Sequence, residues 1–350
     1  ISCEKDFNSN ESNPIDNDTI LVNDTVIIVD TALIEFLDGW NITKTNFGFN
    51  FYAKDLYFVN SEIGFLVGSY GRIYKTIDAG MSWQELETGA SIQLYSVFFL
   101  NENIGFVSGQ GSYDSGESIL LKTNDGGETW QKINYTDFIK ITNLQFFNNL
   151  DGLSIISTLG ENGLKNYYLA QTIDGGITWE FLDLEVGMIY NFFSVDKIVY
   201  IIGRNQTILK SKDYGNTWET INTPIPSNES IYNLYFINEN TGIIRGYDFY
   251  KTNDGGLTWT KVQFPITTFE YAFHFYSEKE GFSTELVYEP NDSLEYGEFK
   301  GYRSYQTYDG GETWYKSKLD DSNVFYHPFF PQRDIGFSYF GPEFYIIRRK

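Results

Sequence analysis

Arginine is the scarce cation of this chain. Its 350 residues carry 25 basic and 47 acidic side chains, a net charge of −22, and only seven of the basic ones are arginines. Four of these, Arg72, Arg204, Arg245 and Arg303, sit just before or after short apolar runs that read as strands. Guanidinium groups gathered on one face can grip a carboxylate or a phosphate through paired N–H donors. The plainer alternative is that each is solvated or paired with one of the more numerous Asp and Glu. Aromatic residues make up 18% of the chain, enough to build a core and to exclude wholesale disorder. So acidic a surface is a poor match for nucleic acid, whose affinity comes from Lys and Arg meeting phosphates.

Other chemistry is thinly represented. Asp114, Glu117, Glu161 and Glu289 read as solvated loop charges, and nothing marks two of them as a catalytic pair. His274 and His327 fall on strands of adjacent units without a third ligand, so they read as packed or channel-lining and no metal is expected. Phosphate-loop, nucleophile-elbow and zinc-helix signatures are absent, and no cofactor is expected. No apolar run reaches the ~18 residues of a spanning helix. The one cysteine, Cys3, rules out an internal disulfide.

The elements that would position the arginines repeat. Ser/Thr-x-Asp-x-Gly-x-Ser/Thr-Trp recurs six times, with aspartates Asp78, Asp125, Asp174, Asp213, Asp254 and Asp309 and tryptophans Trp83, Trp130, Trp179, Trp218, Trp259 and Trp314. The Asp can accept from N–H groups of the turn that follows, the Gly permits φ > 0, and the Trp offers a large apolar face. This spacing predicts a hairpin clamp with a structural role. Before each clamp come an aromatic strand, a short turn and a Gly-Phe-type strand, as in Leu56–Asn60 with Gly64–Gly68. A period of about 40–50 residues signals a propeller or a solenoid.

Each unit therefore reads as four strands, A to D. A-B-C triplets begin near residues 54, 94, 141, 190, 231, 271 and 324. The last triplet lacks a D strand, and the strand at Trp40 has the right shape to supply it. The expected fold is all-β: a seven-bladed β-propeller of four-stranded antiparallel blades, closed by an N-terminal strand completing the last blade. Residues 20–350 form this single domain, in which Thr25–Val29 adds an outer strand, and residues 1–19 form a flexible polar tether. On a ring of this kind the B–C loops leave one face and the clamps the other. The long B–C loops span 110–118, 158–166 and 286–302, and the last holds Tyr288, Tyr296 and Tyr302. Long variable loops more often carry function than short uniform turns. The candidate binding set on this face is thus Arg72, Arg204, Arg245, Arg303, Tyr288, Tyr296 and Tyr302.

Consecutive Asp-box repeats of this kind resemble the photosystem II stability/assembly factor family, within the sialidase-like superfamily, over about residues 40–350. The resemblance implies a non-enzymatic interaction scaffold that assists assembly or stability of a membrane-associated protein complex through the B–C face. The alternative is a glycan-binding protein or a sialidase-like glycoside hydrolase acting on an acidic sugar; three arginines with a Tyr–Glu pair would favour it. Ile1-Ser2-Cys3 resembles the end of a bacterial lipoprotein signal, with Cys3 the lipidated residue. That implies a monomer in the bacterial cell envelope, on the periplasmic or surface side, touching the membrane only through its lipid anchor.

Overall fold

A computed structural model describes residues 19–22, 25–30, 33–36, 40–46, 51–111, 117–160, 165–184, 186, 189–203, 207–226, 229–264, 273–275, 277–289, 298–320, 329–332, 335–340 and 343–349. Six antiparallel blades of four strands surround an axis, each with its strands in the order A-B-C-D. Blade 1 comprises Ala53–Phe58, Gly64–Gly68, Ile73–Thr76 and Gln84–Leu86. Blade 2 comprises Gln93–Phe99, Gly105–Gln110, Ser118–Thr123 and Gln131–Tyr135. Blade 3 comprises Lys140–Phe146, Gly152–Leu159, Lys165–Thr172 and Glu180–Phe181. Blade 4 runs from Ile189 to Ile221 and blade 5 from Asn233 to Val262. Blade 6 joins Phe329–Gln332, Ile335–Phe340 and Glu343–Arg349 to the N-terminal strand Trp40–Asn46, which pairs antiparallel with Glu343–Arg349.

The expectation of seven four-stranded antiparallel blades is corrected here. Between blades 5 and 6 lies a sheet of seven strands, and it is not wholly antiparallel. Its first four are Phe273–Phe275, Gly281–Glu289, Glu298–Thr307 and Trp314–Asp320. Leu33–Phe36 then adds in parallel to Trp314–Asp320, followed by Thr25–Asp30 and Thr19–Val22. Where one outer strand was expected, three are found. The physical reason is the open edge that every outermost D strand presents: unpaired N–H and C=O groups there accept any nearby strand of suitable pattern.

Aromatic columns hold neighbouring blades together. Five of the seven B strands open with a Gly because the last Phe of the paired A strand lies over it; those of blades 4 and 6 open with Ile198 and Ile335. A Cβ on Gly64, Gly105, Gly152, Gly242 or Gly281 would come within 2.3–2.7 Å of the ring of Phe58, Phe99, Phe146, Phe236 or Phe275. The A-strand ring is sandwiched from the other side by the B-strand aromatic of the preceding blade. Phe65 stacks on Phe99 at 3.6 Å, Phe106 on Phe146 at 3.5 Å, Tyr200 on Phe236 at 4.0 Å, and Phe337 on Phe58 at 3.8 Å. The clamp tryptophan of the same blade meets that Phe edge-on, as Trp130 meets Phe99 and Trp179 meets Phe146. Burial on both faces of the B strands explains why they read as apolar throughout.

A lysine adds a polar link at the same seams. The residue before the first Ser/Thr of a clamp is Lys in four units. Lys75, Lys210 and Lys251 donate to the carbonyls of Gly126, Gly255 and Gly310 in the next clamp, at 2.8–2.9 Å, and Lys122 donates to Asn149 O at 3.0 Å.

Candidate functional site

The clamp hairpins close the same way in all six units. In the unit of Asp125, the Thr123 hydroxyl donates to Oδ1 at 2.7 Å and accepts from Gly127 N–H at 2.9 Å. The same Oδ1 accepts from Thr129 N–H, and Oδ2 from the Thr129 hydroxyl at 2.5 Å. Asp78, Asp174, Asp213, Asp254 and Asp309 repeat this pattern. Hydrogen bonds to the charged form lower the pKa of a carboxyl. The Ser/Thr partners accordingly hold Asp125 and Asp254 down at about 2. Carboxylates so fully committed to their own turn are not poised for proton transfer.

The opposite face is assembled by the starts of the A strands and the B–C connections. A register shift interrupts the A strands of blades 1, 2, 3 and 4, between Ala53 and Asp55, Leu94 and Ser96, Thr142 and Gln145, and Ile189 and Asn191. A bulge turns the extra residue out of the ladder. Those residues include Lys54 in blade 1 and Tyr95 in blade 2. Beside the bulges the A strands bond to one another around the axis. Val97 N–H donates to Asp55 Oδ2 at 2.9 Å, Leu144 N–H to Ser96 Oγ at 3.2 Å, and the Asn143 amide to Asn191 Oδ1. Part of Asp55 reaches solvent, but its carboxyl is enclosed at the blade seam. Desolvation outweighs its hydrogen bonds to Val97, Leu56 and Ser96 and raises its pKa from 3.8 to about 6.

The arginines lie on three sheets, and the observed contacts hold each within its own. Arg72 Nε is 3.4 Å from Glu85 Oε1, and Tyr74 OH donates to Oε2 of the same Glu at 3.2 Å. Arg303 Nη1 is 3.3 Å from Glu285 Oε1, which also accepts from Tyr305 OH at 2.5 Å. Both are an Arg-x-Tyr pair, Arg72 just before the start of a C strand and Arg303 within one, with Arg and Tyr four and two residues before the clamp Ser/Thr. Only the Glu differs in origin: a D strand for Glu85, a B strand for Glu285. Arg245, at the end of its B strand, is buried between the rings of Tyr232 and Phe249, at 5.6 and 5.4 Å. Tyr288 is exposed at the end of a B strand, and Tyr302 lies in the paired C strand of that sheet. Arg204, Tyr296, Cys3, His327, Asp114 and Glu161 lie outside the described residues.

The Glu285–Tyr305 pair was not foreseen from sequence, and it bears on glycosidase chemistry. A tyrosine nucleophile needs exposure and a depressed pKa. Tyr305 is fully buried, and desolvation followed by its bond to Glu285 pushes its pKa well up. The pair with Arg303 thus behaves as a packed polar network. His274 meets Tyr235 ring to ring at 5.6 Å, and Tyr235 OH donates to Phe275 O. Among the described residues no cluster of three metal-ligating side chains occurs.

Six of the seven exposed tyrosines among the described residues, Tyr52, Tyr70, Tyr167, Tyr232, Tyr247 and Tyr288, lie on the B–C side, with Leu159; the seventh, Tyr214, sits in a clamp hairpin. Tyr70, 61% exposed, also has φ +63°, a left-handed conformation that is costly for a bulky residue. Exposed aliphatics instead mark the clamp side: Ile77, Met81, Leu150, Ile173, Ile177 and Leu257. Hollows of about 450 and 390 Å³ also open on the clamp side, at blades 3, 4 and 5. Two of the charges lining the larger are spent locally: Lys210 on Gly255 O and Lys212 on Glu219 at 2.6 Å.

Residues 35–141 match the family model of the photosynthesis system II assembly factor YCF48. No curated protein matches the chain. Among solved structures, "YCF48 bound to D1 peptide" is 19% identical, with TM-score 0.63, over 91% of this chain and 99% of that one. YCF48 from Cyanidioschyzon merolae is 15% identical, with TM-score 0.62, over 89% and 99%. A GH74 enzyme of Niastella koreensis is 16% identical, with TM-score 0.57, and the chain covers 47% of it. At these identities the likeness is one of fold, and the chain shares a propeller fold with all three.

Proposed function

We propose that this chain is a non-enzymatic scaffold of the photosystem II assembly-factor type, which holds a protein segment against its B–C face. On this reading it assists assembly or stability of a membrane-associated complex, with Cys3 as the lipid-bearing residue that keeps it at the bacterial envelope. The observation that carries the reading is the concentration of exposed tyrosines on that face. Tyrosine offers a large, rigid, amphipathic contact at low entropic cost. A structure of the same fold has a D1 peptide bound, which supports a protein partner over a sugar.

The test is capture from detergent-solubilised membranes with the full chain as bait. Wild type should retain one reproducible complex, and Tyr70→Ala with Tyr247→Ala should lose most of it. Ile173→Ser with Leu257→Ser, on the clamp face, should retain it. Equal capture by both double variants, or turnover in a panel of acidic glycans, would overturn the reading.

A further inference from the structure

Lysines gather where the axis opens on the B–C side. Lys54 is the bulge residue of the blade 1 A strand, Lys140 opens the blade 3 A strand, and Lys165 opens the blade 3 C strand after its B–C loop. Lys140 Nζ lies 3.8 Å over the ring of Tyr95, the bulge residue of the intervening A strand. Residues of blades 2 and 3 therefore meet here, and Lys54 of blade 1 is near enough for its charge to act on Lys140. Within blade 3 the register sets Lys140 opposite Ser157 and Lys165 opposite Leu159. Side chains two apart on a strand share a face, so Lys140, Ser157 and Lys165 project from the same side of the sheet.

This arrangement is unfavourable as it stands. The chain carries an excess of carboxylates, yet among the described residues neither Lys54 nor Lys140 has an ion-pair partner. The carboxyl nearest in sequence, Asp55, is turned into Val97 N–H and Leu56 N–H. Burial, then the charges of Lys165 and Lys54, lower the pKa of Lys140. A second observation points the same way: the Ser157 hydroxyl, 2% exposed and directly across the ladder from Lys140, is buried without a hydrogen-bond partner. Buried hydroxyls are normally satisfied. Lys54 and Lys140, without ion-pair partners among the described residues and with an orphan hydroxyl beside Lys140, describe a site completed by an anion.

We propose that Lys54 and Lys140 bind a multivalent oxyanion of the phosphate class, with Lys140 over Tyr95 at the centre and Lys165, which has a partner of its own, adding only its nearby charge. Ammonium groups act as point charges and suit a multi-oxygen anion approached from several sides, whereas a single carboxylate is better met by an arginine fork. The guanidinium groups of Arg72, Arg245, Arg303 and Arg348 are engaged elsewhere. The site does not depend on a protein partner, so its failure would leave the docking face standing.

The probes are inorganic pyrophosphate and glycerol phosphate, titrated into the full chain at low salt by calorimetry, with thermal unfolding in parallel. Saturable one-to-one binding that raises the unfolding midpoint is expected. Lys140→Gln should weaken it by about tenfold or more, and Lys140→Arg should restore most of it. Lys54→Gln, an exposed change that cannot endanger folding, should weaken it by a smaller factor. Lys261→Gln, on the rim and paired with Asp248, should leave it unchanged. Tighter pyrophosphate binding assigns a free anion, and tighter glycerol phosphate binding a phosphate carried on a larger molecule. No saturable binding, or equal binding by Lys140→Gln, would overturn the proposal, as would Lys140-dependent binding of an Asp/Glu-rich peptide with none of phosphate.

Discussion

The two faces of the ring are built by opposite strategies. On the clamp side every unit repeats one closed set of hydrogen bonds, and the carboxylates are spent within their own turns. The large apolar residues left exposed there are mostly aliphatics on the turn and hairpin tips, with Tyr214 among them. On the B–C side the units share a bulge at four of the A strands but differ in the residues they expose. The backbone bulges, and tyrosines and lysines face solvent or the axis. The clamp face thus carries stability and repetition; the B–C face carries variation, and with it the capacity to recognise something.

That division can be broken most forcefully at an aromatic column. Phe146→Ala removes the ring sandwiched between Gly152 and Phe106 and leaves a cavity that the sheets cannot close. We expect a loss of about 3–5 kcal/mol in urea unfolding. Partner capture by the protein that remains folded should not change, since the B–C face is untouched. Unfolding at the wild-type denaturant concentration would show that the columns do not hold the blades.

A smaller effect is expected within one clamp. Thr252→Val leaves Gly256 N–H and one Asp254 oxygen without their shared partner while keeping shape. The cost should be about 1–3 kcal/mol, because a buried donor is orphaned. A neutral outcome would show that the remaining bonds of Asp254 suffice.

The smallest effect sharpens the comparison through pH. Asp55 has a raised pKa in the folded state, so the folded protein binds a proton that the unfolded chain releases near 3.8. Its stabilising contribution is full below about pH 4 and is lost as pH rises through about 6. The clamp aspartates have lowered values. Their contribution is present above pH 4 and is lost as pH falls toward 2. The two sets therefore pull in opposite directions on either side of pH 4. Asp55→Asn, neutral at every pH, should flatten the fall in unfolding midpoint between pH 4 and 6. It should leave the acid limb below pH 4 as in wild type. An unchanged slope between pH 4 and 6 would mean that Asp55 is not the titrating group.

How much could be read in advance follows the range of the contacts. The clamps were legible because each closes within a few consecutive residues, so Thr123, Asp125, Gly127 and Thr129 declare it together. The Gly-Phe strands were visible as a pattern, but their cause was not: Gly105 is small because Phe99 lies on it, and Phe106 is aromatic because Phe146 stacks on it. The arginines were located by strand and loop, yet their partners depend on cross-strand register. Glu285 lies opposite Arg303, 18 residues away, whereas Glu85 reaches Arg72 from the next strand of its blade. The lysine cluster left almost no trace, because a bulge of one residue decides whether Lys54 faces the ladder or the axis.

The sequence by itself determined a ring of repeated four-stranded units with structural clamps, since turn chemistry and the two-residue strand period act locally. Only the tertiary structure decided that the strands before Trp40 join the outer edge of one sheet in parallel, making it seven-stranded. An open edge accepts a strand from anywhere in the chain, and nothing in the local pattern names which. Tertiary structure also decided which cations are engaged and which converge. Charge interactions depend on separations in space, and the blades bring Lys54, Tyr95, Lys140 and Lys165 together from positions far apart in the chain.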